Sequence, residues 1–441
     1  MSDRRLAIFG GDKAVTEPNP DIFKWPIVTQ EDEAAVLDVI RSGSMSDTAV
    51  TAEFEKEFAA WMGRTFAVAY CNGTESLRSA MWACGVGAGD EVICPSITYW
   101  ASCTQALTLG AAVNFADVDA DTLCIDPSDI EHRIGPRTKA IMVVHVYGRP
   151  CDMDPIMAVA EKHNVKVIED VSHAHGALYK GRMVGSIGHV AAMSLMSGKS
   201  FAIGEAGIMV TNDPEVHKRC VAYGFYERTG NPSLGRVTPG DIDIGDVQSF
   251  AGIPLGGYKH RLNQTCSAMG RVQLKYYPER VAEIDRAMNR FWDLLEGVPG
   301  IKSTRPARDS GTTMGGWYCS AGLYRPQEIG GLPIARFCEA VAAEGMSTLS
   351  PGVNFPLHLH PIFHVADIFG QGAPTMVAFG QRDVRQGPGT LPVAESIPER
   401  AYFVPWFKQD CPETIAQYAA AFRKVAESAD QLLEREPAGV G

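Results

Sequence analysis

The chain has 441 residues, 45% of them hydrophobic and 21% charged, which leaves room for two or three domains of ordinary globular composition. A net charge of −12 implies no basic face and argues against nucleic acid as a partner, and no apolar run approaches the ~20 residues that span a bilayer. The 11 cysteines are scattered and odd in number, with no Cys-x-x-Cys pair, and the first ten residues lack a signal-peptide core, so reduced thiols, no metal site and a cytoplasmic location are expected.

Residues 1–27 carry Gly10, Gly11, Pro18, Pro20 and Pro26 with little periodicity, and read as an arm over the surface. Thr29 is an N-cap candidate for a helix over 30–41, with acidic residues in its first turn and Ser42-Gly43 as its stop. A second amphipathic helix is predicted over 50–62, then a short apolar strand over 66–70. Asn72-Gly73-Thr74 follows that strand and opens a helix. Free backbone N–H groups and a hydroxyl there would cradle a phosphate, although a plain strand-to-helix turn with Thr74 as N-cap fits the same residues. A strand over 91–95 ends in Ser96-Ile97-Thr98-Tyr99-Trp100, whose two aromatics either join the core or offer a flat face to a ring.

The alternation continues with helices over 100–109, 127–133 and 154–163, and strands over 111–116, 140–146 and 165–170. Strands that are continuously apolar and alternate with helices imply a mostly parallel sheet with helices on both faces. Ligands of such sheets gather at the strands' C-terminal ends, and Thr74, Tyr99, Asp170 and Lys199 all fall there. Lys199 lies in the loop between strands at 189–194 and 207–212. Desolvation in such a loop favours the neutral amine that attacks a carbonyl; a surface lysine on a glycine-rich turn is the plainer reading. Residues 213–262 look irregular, with Thr229–Gly245 rich in glycine and proline. A long helix from Asn263 to about 297 then leads to short strands and helices, closing on an amphipathic helix over about 412–434. The expected division is an N-terminal arm (1–27), a large domain (28–262), and a connector helix with a small C-terminal α/β domain (263–441).

Taken together, Asn72-Gly-Thr-Glu-Ser-Leu77, Pro95-Ser-Ile-Thr-Tyr99, Glu169-Asp-Val-Ser-His-Ala-His-Gly-Ala177, Ser194-Leu-Met-Ser-Gly-Lys199, Gly204-Glu-Ala-Gly-Ile-Met-Val-Thr-Asn-Asp213 and Pro356-Leu-His-Leu-His360 resemble the motifs of the DegT/DnrJ/StrS family of pyridoxal-phosphate-dependent sugar aminotransferases. The motifs occur in the family's order between about residues 8 and 430. The resemblance implies an aspartate-aminotransferase-like (type I) fold and a ping-pong transamination, with pyridoxamine phosphate as the alternate cofactor form. Lys199 would form the Schiff base with the cofactor aldehyde, and Asp170 would pair with the pyridine nitrogen, since a cationic ring nitrogen is retained in a protein interior only beside a fixed anion. Tyr99 would stack on the ring and His173 would reach its phenolic oxygen. Gly73, Thr74, Glu75 (by its backbone N–H) and Ser194 would hold the phosphate.

The donor implied is glutamine or glutamate, and the acceptor a keto cyclitol of the inosose type or a keto sugar, free or nucleotide-linked. Gly10-Gly-Asp-Lys-Ala-Val15 and Phe23-Lys-Trp-Pro26 look like the cyclitol-type members, and His358 and His360 are candidates for hydroxyl recognition. The family's usual Gly-Tyr-Asn, whose Asn reaches the phosphate in the partner subunit of a homodimer, is here Gly257-Tyr258-Lys259, and Ser200-Phe201 replaces the pair common after the lysine. Lysine at 199 argues against the sugar dehydratases of the same fold, which carry histidine there. A non-catalytic cofactor-binding regulator would bring a basic DNA-binding module, which is not seen. A nicotinamide oxidoreductase would need Gly-x-Gly-x-x-Gly after a first strand, and Gly85-Val-Gly-Ala-Gly89 has another spacing and follows a helix.

Overall fold

A computed structural model describes residues 5–434 apart from 234–235 and 347–348. The apolar runs become β1 (Phe66–Tyr70), β2 (Glu91–Pro95), β3 (Ala112–Ala116), β4 (Thr138–Val144) and β5 (Lys166–Asp170), then a short ribbon of β6 (Leu178–Tyr179) and β7 (Arg182–Met183), and finally β8 (Val190–Ser194) and β9 (Gly207–Thr211). Seven of these form one sheet in the order β1-β9-β8-β5-β4-β2-β3. The pairs β2/β3, β2/β4, β4/β5 and β5/β8 are parallel, and only β9 runs against its neighbours, β1 and β8. Every residue of β2, β3 and β9 is buried, as a sheet covered on both faces requires.

The helices of this part of the chain are α1 (Gln30–Ser42), α2 (Ala49–Met62), α3 (Gly73–Ala83), α4 (Ala101–Thr108), α5 (Pro127–Arg133), α6 (Met153–His163), α7 (Pro214–Gly224) and α8 (Tyr226–Thr229), of which α2 to α7 pack on the sheet. Thr29 does cap α1: its hydroxyl accepts from Asp32 N while the Asp32 carboxylate accepts from Thr29 N at 2.8 Å, and Gly43 ends the helix in the left-handed region at φ 72°. The stretch 213–262 is more regular than its composition suggested. Asp213 accepts from Glu215 N at 2.9 Å and caps α7, with Pro214 at the first turn, and Gly230–Ser233 pairs antiparallel with Arg236–Pro239.

The connector α9 (Gln264–Leu294) leads into a three-stranded antiparallel sheet of Ile301–Ser303, Ala321–Tyr324 and Ala401–Phe403. The expected C-terminal helix is two, Pro412–Glu427 and Ala429–Leu433, separated at Ser428 (ψ 27°). The N-terminal segment is not an arm over the surface. Leu6, Val15 and Ile22 are buried in a second core with Ile284, Phe291 and Phe422, and the N–H groups of Ala7 and Ala14 both donate to the Glu344 carboxylate. Proline and glycine set its irregular backbone, but its apolar side chains join this second core. The C-terminal part of the chain also returns to the seven-stranded sheet: the Gln386 amide accepts from Phe115 N and donates to Phe115 O at 2.8 and 2.7 Å, pairing the free edge of β3.

Candidate active site

A cavity of about 280 Å³ lies at the C-terminal ends of β1, β4, β5 and β8. Gly73, Thr74, Tyr99, Asp170, His173, Ser194 and Lys199, seven residues singled out in the sequence, all line it.

Its floor depends on two glycines. A Cβ on Gly73 would lie 2.6 Å from Ser194 Cα, and one on Gly207 would lie 2.3 Å from Asn72 O, so the start of α3 rests directly against the ends of β8 and β9. Asn72, and not Thr74, is the N-cap: its Oδ1 accepts from Glu75 N at 2.9 Å. That bond corrects the role expected of Glu75, whose backbone N–H is already taken. The N–H groups of Gly73 and Thr74 meet no acceptor among the described residues and remain available at the positive end of α3. The Glu75 carboxyl instead lies 3.7 Å from His260 Nδ1, with burial raising its pKa.

Asp170 ends β5, where it is 3% exposed. Its Oδ2 accepts from Ser102 Oγ at 2.7 Å and its Oδ1 from Ser172 N at 3.0 Å, which fixes the carboxylate plane. Ser172 Oγ in turn accepts from Ser194 N at 2.9 Å, tying the loop after β5 to the end of β8. His173 is buried, and its Nδ1 accepts from Tyr147 N at 3.3 Å. Burial, with the charge of Lys199 and then His175 behind it, pushes the His173 pKa well below the ordinary imidazole value. The ring is therefore neutral and carries its proton on Nε2.

Lys199 is 8% exposed. Burial lowers its pKa to about 8, against the opposing pull of Asp170 and Cys319. Its Nζ lies 4.1 Å from the Tyr318 ring centroid, and its carbonyl accepts from Trp25 Nε1 at 2.8 Å. The lysine side chain is thus a desolvated amine on a fixed backbone, although Ser197 and Gly198 before it are exposed. Tyr99 lines the cavity at 48% exposure; the neighbouring Trp100, at a centroid distance of 4.9 Å, does not line it.

Three sequence candidates lie elsewhere. His358 is fully buried with both ring nitrogens engaged, Nδ1 with Ser96 Oγ at 2.7 Å and Nε2 with Glu395 Oε1 at 3.1 Å, so it joins Glu395 to Ser96 after β2 and does not line the cavity. His360 is exposed and its Nδ1 accepts from Ile362 N at 3.2 Å. Lys259 is exposed and does not line this cavity.

Tyr147, Tyr318, Cys319 and Asn354 line the cavity without having been singled out. Tyr147 adopts φ 54°, and its hydroxyl donates to Asn354 Oδ1 at 2.7 Å and accepts from Asn354 N at 3.0 Å. Ser172 was open to discovery, as the third residue of an Asp-x-Ser turn. The others carry no local signal.

Residues 26–423 match the DegT/DnrJ/EryC1/StrS aminotransferase family. The chain belongs to that family. It is an aminotransferase with the fold expected of one: α/β, with a mostly parallel central sheet. It is 33% identical over 369 residues to an L-glutamine:2-deoxy-scyllo-inosose aminotransferase of Streptoalloteichus tenebrarius, an alignment covering 81% of this chain and 83% of that one. It is 38% identical over 255 residues to the GDP-perosamine synthase of Caulobacter vibrioides, covering 58% of this chain and 64% of the other. Among solved structures, an aminotransferase from Psychrobacter cryohalolentis superposes with a TM-score of 0.77 at 28% identity, over 92% of this aminotransferase and 98% of that chain. Among the described residues of this aminotransferase no three His, Cys, Asp or Glu side chains are grouped to hold a metal ion, and no helix is long and apolar enough to cross a membrane.

Proposed function

We propose that this aminotransferase uses pyridoxal phosphate to move an amino group from glutamine or glutamate to a keto cyclitol of the inosose type. The observation that carries the cofactor reading is the pairing of a desolvated amine, Lys199, with a fixed carboxylate, Asp170, in one cavity beside the open start of α3. The donor set suits the group. Lys199 offers the amine for its aldehyde, Asp170 an anion for its ring nitrogen, Tyr99 a ring face, and His173 an Nε2–H for its phenolic oxygen. The N–H groups of Gly73 and Thr74, with the Ser194 hydroxyl, suit its phosphate. When bound, pyridoxal phosphate supplies an electron-withdrawing ring that makes the proton on the donor's Cα acidic.

The chain's own residues do the rest. Lys199, which loses its proton near pH 8, takes the proton from the donor's Cα as general base. In the second half-reaction it returns a proton to the carbon that was the acceptor's carbonyl. Asp170, held by Ser102 and Ser172, would stand with a fixed carboxylate plane against the ring nitrogen. The inosose assignment rests on the relative from Streptoalloteichus tenebrarius; a nucleotide-linked keto sugar is the second reading, favoured by the relative named GDP-perosamine synthase. Two further proposals go with this reading. The exposed Lys259 reaches the cofactor phosphate of a partner subunit in a homodimer, as a point charge in place of an amide. The 11 unpaired cysteines suit a reducing cytoplasm.

Purified protein mixed with pyridoxal phosphate is expected to develop an absorbance band at roughly 400–430 nm, from the cofactor bound through Lys199. The band is lost in Lys199→Ala and is bleached by glutamine or glutamate. Absence of the band in the parent protein ends the cofactor reading. Offering inososes, free keto sugars and nucleotide-linked keto sugars to the bleached enzyme, and measuring return of the band, decides the acceptor.

A further inference from the structure

Residues 314–320, between α9 and the strand Ala321–Tyr324, form a loop pressed into both functional loops of the large domain. A Cβ on Gly315 would lie 2.4 Å from His175 O, and one on Gly316 would lie 2.2 Å from Ser200 Cβ. Trp317 and Cys319 both take the left-handed conformation, at φ 52° and 49°, which side chains other than glycine seldom adopt outside a specific requirement. The residue between them is Tyr318. Trp317 Nε1 donates to Asp285 at 2.8 Å on one side, and Trp406 Nε1 donates to Gly316 O at 2.9 Å on the other, so the loop is anchored at two points.

The Tyr318 ring is held between His173, at a centroid distance of 4.9 Å, and the edge of Trp406, at 5.4 Å. Its face meets Lys199 Nζ at 4.1 Å. Among the described residues that amine makes no hydrogen bond. We propose that Tyr318 is a positioning residue for Lys199, its ring holding the lysine's ammonium beside the cavity whenever the amine is not covalently engaged. The quadrupole of an aromatic face attracts the ammonium without fixing a hydrogen bond that must later break. On the transamination reading, on which this role in turnover rests, Lys199 is released and re-engaged in every cycle, and such a surface keeps it within reach.

The titratable groups that interact with Lys199 are Asp170 from β5, His173 and His175 from the following loop, and Cys319 beside Tyr318; the exposed Glu205 lines the same cavity. Removing the ring leaves all of these in place and withdraws one interaction that favours the charged amine. The test is the pH dependence of Lys199 acetylation by trace acetic anhydride, read by peptide mass spectrometry on full-length protein stripped of bound aldehyde with hydroxylamine. Parent protein and Tyr318→Phe are expected to share one midpoint. Tyr318→Leu and Tyr318→Met are expected to titrate about 0.5–1 pH unit lower, the size of an ordinary cation–π contribution. Should the leucine variant fail to fold, the methionine variant, closer in length, decides. The proposal is overturned if the aliphatic variants titrate with the parent, or if Tyr318→Phe shifts as far as they do. Because the label reports only the amine, the result stands apart from whether the enzyme transaminates any given substrate.

Discussion

The indole Nε1 of Trp25 donates to the carbonyl oxygen of Lys199 at 2.8 Å, so a residue of the N-terminal segment holds the backbone of that lysine. The segment is fixed in turn by the second core, where Ile22 is fully buried, and by Lys408 N, which donates to Ile22 O. Trp25→Phe keeps a ring and removes the donor, leaving the part-buried Lys199 carbonyl without this partner. A stability loss of about 1–2 kcal/mol is expected in urea unfolding. A several-fold fall in turnover should accompany it, because the lysine loop loses its tether. Unchanged stability and turnover together would show that the contact is incidental.

Lys199 itself is expected to cost stability. Its pKa falls from 10.5 in the unfolded chain to about 8 in the fold, chiefly through burial. Between those values the unfolded state holds the proton that the folded state has lost, so stability rises with pH across that window. Below about pH 8 both states are charged and the folded state bears the full penalty, about 3 kcal/mol at most. Lys199→Met, without cofactor, should therefore be about 1–3 kcal/mol more stable than the parent at pH 7, with the gap closing towards pH 10. A gap that stays flat between pH 7 and 10 contradicts this.

Glu169, next to Asp170, is fully buried and serves the fold. Oε1 accepts from Ile187 N and Gly188 N at 2.9 and 2.5 Å, and Oε2 from Gly185 N at 2.7 Å and from His145 Nε2 at 3.0 Å. Both oxygens face donors, so either orientation of a glutamine amide would set N–H against N–H. Glu169→Gln should cost about 3 kcal/mol or more in denaturant unfolding at pH 7. Burial raises the carboxyl's pKa, but the hydrogen bonds of His145 and the backbone N–H groups outweigh it and leave it below 4.5. The advantage is thus present above about pH 4.5 and lost as pH falls through the folded value. A parent-to-variant gap that does not narrow in acid would rule out the charged form as its source.

What the sequence made legible is the part of the site built at the ends of buried strands. Asn72–Thr74 joins β1 to α3, Asp170 ends β5 and Lys199 lies in the loop between β8 and β9, and a mostly parallel sheet puts the ends of its strands together. The side of the cavity supplied by residues after α9 was not legible. Tyr318 arrives there because its loop is anchored to Asp285 of α9 and to Trp406, and Asn354 through its two hydrogen bonds with Tyr147, with no spacing rule to connect either to Lys199. His358 shows the opposite error: a motif next to the site, whose polar ring is spent on joining Ser96 to Glu395. Glu75 failed for a local reason, since Asn72 in the residue before α3 claims its N–H as an N-cap.

The cradle at the start of α3 makes the final expectation. Gly73 has no room for a side chain, because a Cβ would lie 2.6 Å from both Cα and Cβ of Ser194 and 2.8 Å from its nitrogen. Ser194 ends β8 and is paired with Gly207 of β9, so it cannot move aside without breaking the sheet. In Gly73→Ala the start of α3 must therefore lift away, carrying the N–H groups of Gly73 and Thr74 out of the cavity. Gly198→Ala is the matched control: its Cβ meets only the terminal Cε of Met196, at 2.8 Å, which a rotation of that side chain relieves. Overpacking of this kind costs about 1–3 kcal/mol of stability. Gly73→Ala should show that loss together with at least a tenfold weaker affinity for pyridoxal phosphate by titration calorimetry, whereas Gly198→Ala keeps both near parent values. Equal affinities in the two variants would place the phosphate away from α3 and require another anion site for this cavity.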